Sequence, residues 1–366
     1  MNAMLAPGPI RHYIPAMFIV GIGTAIPPNC YSQEECWTTL KGTARFREFN
    51  PRSQAILRKV LTRDNGIVTR HLALDNLEQA FEITPDILHA RFVEHAPKLA
   101  AQAAERALAQ AHVSAQEIDA VLISTCTGYL CPGLTSYVSQ RLGLRPDVLA
   151  LDLVGQGCGA AIPNLQTAQS LVAAGRQRVL SICVEVCSAT FYLDDDAGVL
   201  ISACLFGDGA GAAVLSASAN GGRRVRWKTG ASLLQPDLRD QLRFEQKNGF
   251  LRNILTPEVP ALAARHVDEV LNNTLTRNQV GRSQISGWIL HPGGRDVLLA
   301  LREKISLSDH DVRWSAGVLR EHGNMSSPSV LFVLQAALAE RGPGGLWWMA
   351  SFGAGFSCHG ALLEVE

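Results

Sequence analysis

The sequence predicts a layered α/β protein, and three observations lead there. Short apolar runs alternate with amphipathic stretches along the chain, which is how sheet strands and their covering helices read. Apolar residues make up 47% and charged residues 18% of 366 positions, a balance that suits a large core and argues against disorder. Two glycine-rich turns, Phe206-Gly207-Asp208-Gly209-Ala210-Gly211 and Phe352-Gly353-Ala354-Gly355, each run into an apolar strand, a hint of duplication.

The elements follow in order. The apolar run 16–22 is short, ends in a Gly/Pro turn and lacks a basic start, so it reads as a buried strand over 18–22 rather than a signal peptide. Further strands are expected over 120–125, 179–184 and 210–215, then over 287–290, 347–351 and 359–365. Helical periodicity predicts helices over 98–111, 165–174, 261–276 and 328–341. The last follows Ser326-Ser327-Pro328, with serine as cap and proline in the first turn. The segment 220–226, with Gly221-Gly222 and three arginines, breaks the pattern. It divides the chain into an N-terminal half, 1–225, and a C-terminal half, 226–366.

Composition also excludes functions. The formal net charge is zero, so no basic field exists to hold nucleic acid or an anionic membrane. No run approaches a transmembrane helix. The nine cysteines are irregularly spaced and form no Cys-x-x-Cys pair, which argues for reduced thiols in a cytoplasmic protein and against a metal site.

The segment running from Asp152 to Gly157-Cys158-Gly159 and on to Ala161 carries the most chemistry. A strand-like run gives way to a glycine turn and then to a helix, whose amide dipoles point back at the sulfur and favour thiolate. Such a thiolate can attack a carbonyl and hold an acyl group; otherwise Cys158 is a small residue filling a strand–helix junction. His291, in Trp288-Ile289-Leu290-His291-Pro292-Gly293-Gly294, stands at the C-terminal end of a buried strand, where open α/β sheets gather their sites. Asn324 lies in Glu321-His322-Gly323-Asn324-Met325-Ser326-Ser327, beside a helix start whose plain reading is capping. Together, His291 could pair with Cys158 and then, with Asn324, donate hydrogen bonds to a thioester oxygen. Two such donors would stabilise the enolate left when a malonyl thioester loses carbon dioxide.

At these residues the chain resembles the chalcone-synthase-like type III polyketide synthases. Gly157-Cys158-Gly159, Leu205-Phe206-Gly207-Asp208-Gly209, His291-Pro292-Gly293-Gly294, Gly323-Asn324-Met325-Ser326-Ser327 and Ser351-Phe352-Gly353-Ala354-Gly355 agree in order and spacing. The resemblance runs from about Phe18 to the C-terminus. It implies a thiolase-like fold, a duplicated five-layer αβαβα arrangement acting as a homodimer. It also implies Cys158, His291 and Asn324 as the catalytic set, Phe206 as an aromatic gate between a coenzyme A tunnel and the cavity, and no cofactor beyond coenzyme A thioester substrates.

Several residues depart from the plant pattern. Cys126 and Cys187 stand where cavity threonines are usual, and Ser202 where glycine is. Cys131 falls where a partner subunit's methionine would project into the cavity. Arg58, Lys59 and Arg63 lie in the stretch expected to meet the coenzyme A phosphates, or form a solvated helix face. The segments 242–245 and 248–255 and the ending Phe356-Ser357-Cys358-His359-Gly360 are similar to bacterial alkylresorcinol and alkylpyrone synthases. That similarity implies a fatty acyl starter on coenzyme A or a carrier protein, malonyl-CoA extenders, and an apolar tunnel opened by small residues such as Cys126, Cys131 and Cys204. Gly287 would leave room near the catalytic strand and favour lactone closure.

Other readings stay open. Ketoacyl-ACP synthase III uses the same trio, but in a His-Gln-Ala-Asn context. A thiolase would use a second cysteine near the C-terminus, where Cys358 stands. A cysteine hydrolase, and an acyl-binding homologue without condensing activity, are more distant alternatives.

Overall fold

The computed structural model describes residues 16–366. Nine strands form one sheet: β1 (Met17–Ala25), β2 (Ala120–Ser124), β3 (Leu149–Leu153), β4 (Arg178–Glu185), β5 (Gly209–Ser216), β6 (Val225–Leu234), β7 (Ile285–Leu290), β8 (Gly345–Gly353) and β9 (Ser357–Val365). Their spatial order is β7-β8-β9-β6-β1-β5-β4-β2-β3. The order repeats outward from a short antiparallel contact between β1 and β6, in which Met17, Phe18 and Ile19 face Trp227, Arg226 and Val225. On each side the first strand pairs antiparallel with the last, the last antiparallel with the one before it, and that one parallel with an earlier strand. This is the duplication at which the two glycine-rich turns hinted.

Six helices bear on the site: α1 (Pro51–Thr62), α2 (Pro85–Ala111), α3 (Ala161–Ala173), α4 (Ala197–Leu205), α5 (Val259–Arg277) and α6 (Ser329–Ala339). Helices α3 and α6 lie inside, each touching strands from both sides of the β1/β6 contact, whereas α2 covers β1, β5 and β4, and α5 covers β9, β6 and β8. The result is five layers of helix, sheet, helix, sheet and helix, a thiolase-like arrangement. A helix covered on all sides must be apolar on all sides. Helix α6 meets that demand by burying Val330 through Leu334 as an unbroken run, and α3 buries Ile162, Leu165, Ala168 and Val172. Helix α2, with one face exposed, confines its buried residues to a stripe rich in alanine.

Six of the seven expected strands fall within observed ones, and the seventh, over 120–125, runs one residue past β2. Strand β6 was not anticipated, because its buried and exposed residues alternate instead of forming an apolar run. Helix α2 starts at Pro85 and continues through Pro97, whereas the sequence suggests a start after that proline, which can donate no backbone hydrogen bond. The expected serine cap of α6 is also corrected. Pro328 itself occupies the cap position with helical dihedrals and no side-chain cap, and Ser326 and Ser327 turn away toward other partners.

Gly287 requires a further correction. A Cβ there would stand 2.7 Å from the Trp347 ring, and Trp347 is fully buried in the core between the sheets. The space beside Gly287 is filled by indole, so it adds no room to a cavity. Gly287→Leu is expected to destabilise the fold by about 1–3 kcal/mol, the range for overpacking a filled core. A thermal melt checks this, and an unchanged midpoint would mean that the indole yields freely.

Candidate active site

Cys158 occupies a single 3-10 turn, Gly157–Gly159, between β3 and α3. Gly157 has a positive φ of 54°, and a Cβ on Gly353 would lie 2.5 Å from the Gly159 nitrogen. Glycines at both positions let the end of β8 press against the turn. Ser351 Oγ fixes the contact by donating to the Gly159 carbonyl at 2.9 Å. The cysteine is buried beside Cys187 and Phe206.

His291 follows β7 directly, and its backbone N–H donates to the Ala350 carbonyl at 2.9 Å. Its ring stands edge-on to Phe352, with centroids 5.1 Å apart. It is 1% exposed, yet neither ring nitrogen has a hydrogen-bond partner among the described residues. Buried polar groups are normally paired, so two open nitrogens on one imidazole mark a place where a ligand can bond.

Asn324 is held by its backbone, which donates to the Leu205 carbonyl at 2.9 Å and accepts from Gly207 N–H at 3.0 Å. Its Nδ2 donates to the Gly293 carbonyl at 3.0 Å, and its Oδ1 accepts from Ser326 N–H at 2.8 Å. An amide nitrogen carries two protons, so one is left. Ser326 closes the group, with Oγ 3.2 Å from Cys158 Sγ. Ser326 thus links Asn324 to Cys158, Gly293 links Asn324 to the turn after His291, and the end of β8 touches both the Cys158 turn and the His291 ring.

A residue that the sequence reading missed lies beside them. Glu185, at the end of β4, is fully buried. Its Oε2 accepts from Thr127 Oγ1 at 2.9 Å, Cys126 N–H at 2.9 Å and Thr125 Oγ1 at 3.1 Å. Its Oε1 accepts from Ser327 Oγ at 2.6 Å, with Cys126 Sγ and Ser326 Oγ at 3.3 and 3.4 Å. Burial raises its pKa, against the lowering effect of these hydrogen bonds. The available signal was one acid closing a mostly apolar strand.

Burial sets the resting protonation of the other groups. It pushes the Cys158 thiol up to about 12, against the Ser326 hydrogen bond that lowers it, and holds His291 down to about 3. Each group is neutral on its own terms. A thiolate–imidazolium pair can form only as a couple, each charge offsetting the other's desolvation.

The remaining expected residues divide. Cys187, Ser202 and Phe206 line a small cavity of about 20 Å³, with Thr127, Phe244, Asn253 and Ser326 among its walls. Cys126 faces a neighbouring cleft of about 470 Å³ that also includes Gly157 and Ala354, and the two spaces share Thr127 and Phe244. Ser202 Oγ bonds both the Gly198 carbonyl and Asn253 Oδ1, tying α4 to the hairpin Leu242–Lys247/Phe250–Leu255. Cys131 is exposed and lines neither space. Cys204 faces a separate apolar cavity with Leu57, Leu61 and Leu72. The three cysteines expected to open one tunnel therefore share no cavity within a single chain. Arg58, Lys59 and Arg63 are exposed on and just after α1, and none lies within ion-pair distance of a carboxylate among the described residues. Cys358 packs in the outer core with α5, away from the cluster around Cys158, and burial raises its pKa; that removes the thiolase reading's second cysteine. Among the described residues no three His, Cys, Asp or Glu side chains could together hold a metal ion.

A buried thiol, an imidazole with two open nitrogens and an amide with a spare N–H form a set suited to acyl transfer. The sequence also matches known families. Residues 27–234 match the family described as FAE1/type III polyketide synthase-like protein, and residues 236–364 match the chalcone and stilbene synthase C-terminal domain. The chain is 29% identical to a 3,5-dihydroxyphenylacetyl-CoA synthase of Streptomyces toyocaensis, over 94% of this chain and 89% of that protein. It is 30% identical to the alpha-pyrone synthesis polyketide synthase-like Pks18 of Mycobacterium tuberculosis, over 82% and 80% of the two. Among solved structures it is similar to PKS-I of the brown alga Ectocarpus siliculosus (TM-score 0.88, 25% identity, 97% and 99% of the two chains). It is also similar to 1,3,6,8-tetrahydroxynaphthalene synthase of Streptomyces coelicolor A3(2) (TM-score 0.87, 25% identity, 95% and 99%). With its fold, its motifs and both parts of its length matched, the chain belongs to the type III polyketide synthases, acyltransferases that condense malonyl-CoA and work on coenzyme A thioesters without a cofactor.

Proposed function

We propose that this enzyme primes itself with a long fatty acyl group, extends it with several malonyl-CoA units and cyclises the product to alkylpyrones or alkylresorcinols. What supports the catalytic part is that Ser326 joins Asn324 to Cys158 and Gly293 joins Asn324 to the turn after His291, beside a small cavity walled by Phe206. The starter rests on the likeness of segments 242–245, 248–255 and 356–360 to bacterial alkylresorcinol and alkylpyrone synthases, and the pyrone ring also on similarity to an alpha-pyrone synthesis polyketide synthase-like protein.

The chemistry follows from the groups. His291 takes the Cys158 proton, and the thiolate attacks the starter thioester carbonyl. The tetrahedral intermediate expels coenzyme A thiolate, which receives the proton from His291, or the carrier-protein thiolate if the starter arrives that way. Malonyl-CoA then enters and loses its carboxyl group as carbon dioxide. The electron pair left behind becomes an enolate whose oxygen takes hydrogen bonds from His291 and from the spare Asn324 N–H. The enolate carbon attacks the Cys158 thioester, expels the thiolate and leaves a chain longer by two carbons on coenzyme A.

In this reading residues 1–225 supply the nucleophile and 226–366 the two donors. Phe206 gates the cavity, with Cys126, Cys187 and Ser202 shaping its surroundings. Arg58, Lys59 and Arg63 meet the coenzyme A phosphates. As a homodimer, the enzyme presents the exposed Cys131 to its partner's cavity.

Incubation with a fatty acyl-CoA and malonyl-CoA, read by mass spectrometry, is expected to yield multiply extended pyrones or resorcinols. Cys158→Ala should reduce turnover at least a thousandfold. A single-extension ketoacyl product, or full activity in Cys158→Ala, would overturn the proposal.

His291→Gln should slow alkylation of Cys158 by iodoacetamide at pH 7, monitored on the Cys158 peptide, because the proton acceptor is gone. It should also change the pH dependence of stability. Unfolded histidine takes up a proton below about pH 6.5, whereas folded His291 resists until about 3. The wild type therefore loses stability relative to His291→Gln as pH falls through that window. Parallel melting curves at pH 7 and pH 5 check the sign.

Phe206→Ala should shift starter preference or turnover by tenfold or more with little change in the melting midpoint. Wholesale unfolding would instead assign the ring to core packing.

A further inference from the structure

Arg70 is 3% exposed and has no ion-pair partner among the described residues. A buried guanidinium is costly unless its donors are met, so what it bonds is informative. Its Nη1 donates to the carbonyls of Ala203 at 2.7 Å and Phe206 at 2.9 Å, and Nη2 reaches Cys36 Sγ at 3.3 Å. Both carbonyls lie at the C-terminal end of α4, where unpaired carbonyls and the helix dipole concentrate negative charge. That helix end accounts for all its carbonyls. Ser202 accepts from Phe206 N–H, Cys204 from Gln33 Nε2 and Leu205 from Asn324 N–H, and Arg70 takes the other two.

The stem of the same side chain lies against Gly323. A Cβ there would stand 3.0 Å from Arg70 Cγ and 2.7 Å from the Leu205 carbonyl, and Gly323 has a φ of 68°. The next residue is Asn324, which forms an isolated parallel bridge with Phe206. One cation thus holds the peptide of the gate residue on one side and abuts the peptide preceding the amide donor on the other.

We infer that Arg70 is a positioning residue for the condensation step, holding Phe206 and Asn324 in mutual register through their backbones. The inference rests on the proposed role of Asn324 in stabilising the enolate. It gives Arg70 a selective signature. Loading the starter onto Cys158 uses the thiol and His291, whereas decarboxylating malonyl-CoA also needs the Asn324 amide in place. Loss of register should harm the second step and spare the first.

The test compares Arg70→Lys with wild type in two assays on the full chain. One is the extent of Cys158 acylation by a fatty acyl-CoA, read by intact mass. The other is the rate of carbon dioxide release from malonyl-CoA. Lysine keeps the charge but is a flexible ammonium without the rigid guanidinium plane and second nitrogen that hold Nη1 between the two carbonyls. Acylation is expected to stay within twofold and decarboxylation to fall at least tenfold. Gln33→Met, which frees only the Cys204 carbonyl, should leave the ratio of the two unchanged. Decarboxylation at the wild-type rate in Arg70→Lys, or an equal loss in both assays, would overturn the inference. If Arg70→Lys does not fold, Arg70→Gln, which buries no charge, provides the same comparison; failure of both to fold would leave Arg70 a purely structural residue and defeat the proposal. Asn324→Ala, run alongside, separates the two layers. Retained decarboxylation there would sink the role of Asn324 itself, whereas retention in Arg70→Lys alone would sink only the positioning.

Discussion

The inner helix layer is the constraint on which the rest depends. Helices α3 and α6 are each covered by strands from both sides of the duplicated sheet. Such helices can expose chemistry only at their ends. Cys158 lies three residues before α3 begins, and Asn324 through Ser327 lead directly into α6. The 3.2 Å contact between Ser326 Oγ and Cys158 Sγ is where these two approaches meet. Helix starts carry partial positive charge from unpaired N–H groups, so duplication brings two of them to one anion-forming site. His291 reaches the same place from the end of β7.

That placement has an electrostatic consequence. The site is dry enough to hold a thiol and an imidazole neutral, each for the same reason, burial. Charge created there must therefore be created in compensated form. Glu185 is the exception that supports the rule, since six donors surround its two oxygens. A carboxylate accepts without donating, so that shell satisfies the ionised form while burial opposes it. Ser326 lies within reach of both Glu185 and the sulfur, which makes its single proton a shared resource between them.

Legibility in the sequence followed the physics of each feature. The glycines around Cys158 were readable because a tight turn at close backbone approach restricts residue choice. His291 and Asn324 were readable from their motifs. Glu185 was not, since a single acid closing a mostly apolar strand declares its burial only once its hydrogen-bond shell exists. Gly287 was misread because absent bulk at one position says nothing about which neighbour fills the space; here Trp347 does. The cysteine tunnel was not legible either, because side-chain size carries no direction, and within one chain Cys126, Cys131 and Cys204 face three different surroundings. Ser326 and Ser327 matched a capping signal but spent their hydroxyls on Cys158 and Glu185, where the alternative was an unpaired buried group.

The dimensions beside Cys158 impose a further condition. A space of about 20 Å³ accommodates roughly one water, so an acyl group with more than a few atoms cannot react there without taking volume from elsewhere. The neighbouring cleft has that volume, and the two are divided by Thr127 and Phe244. Thr127 is fixed by its hydrogen bonds to Glu185 and Val186. Phe244 belongs to the hairpin, whose link to α4 includes the bond between Ser202 and Asn253. Of the two partitions only the hairpin side can yield without stripping hydrogen bonds from a buried carboxylate. The wall on the Glu185 side is thus the one held by buried hydrogen bonds, and the hairpin side is the one that is not.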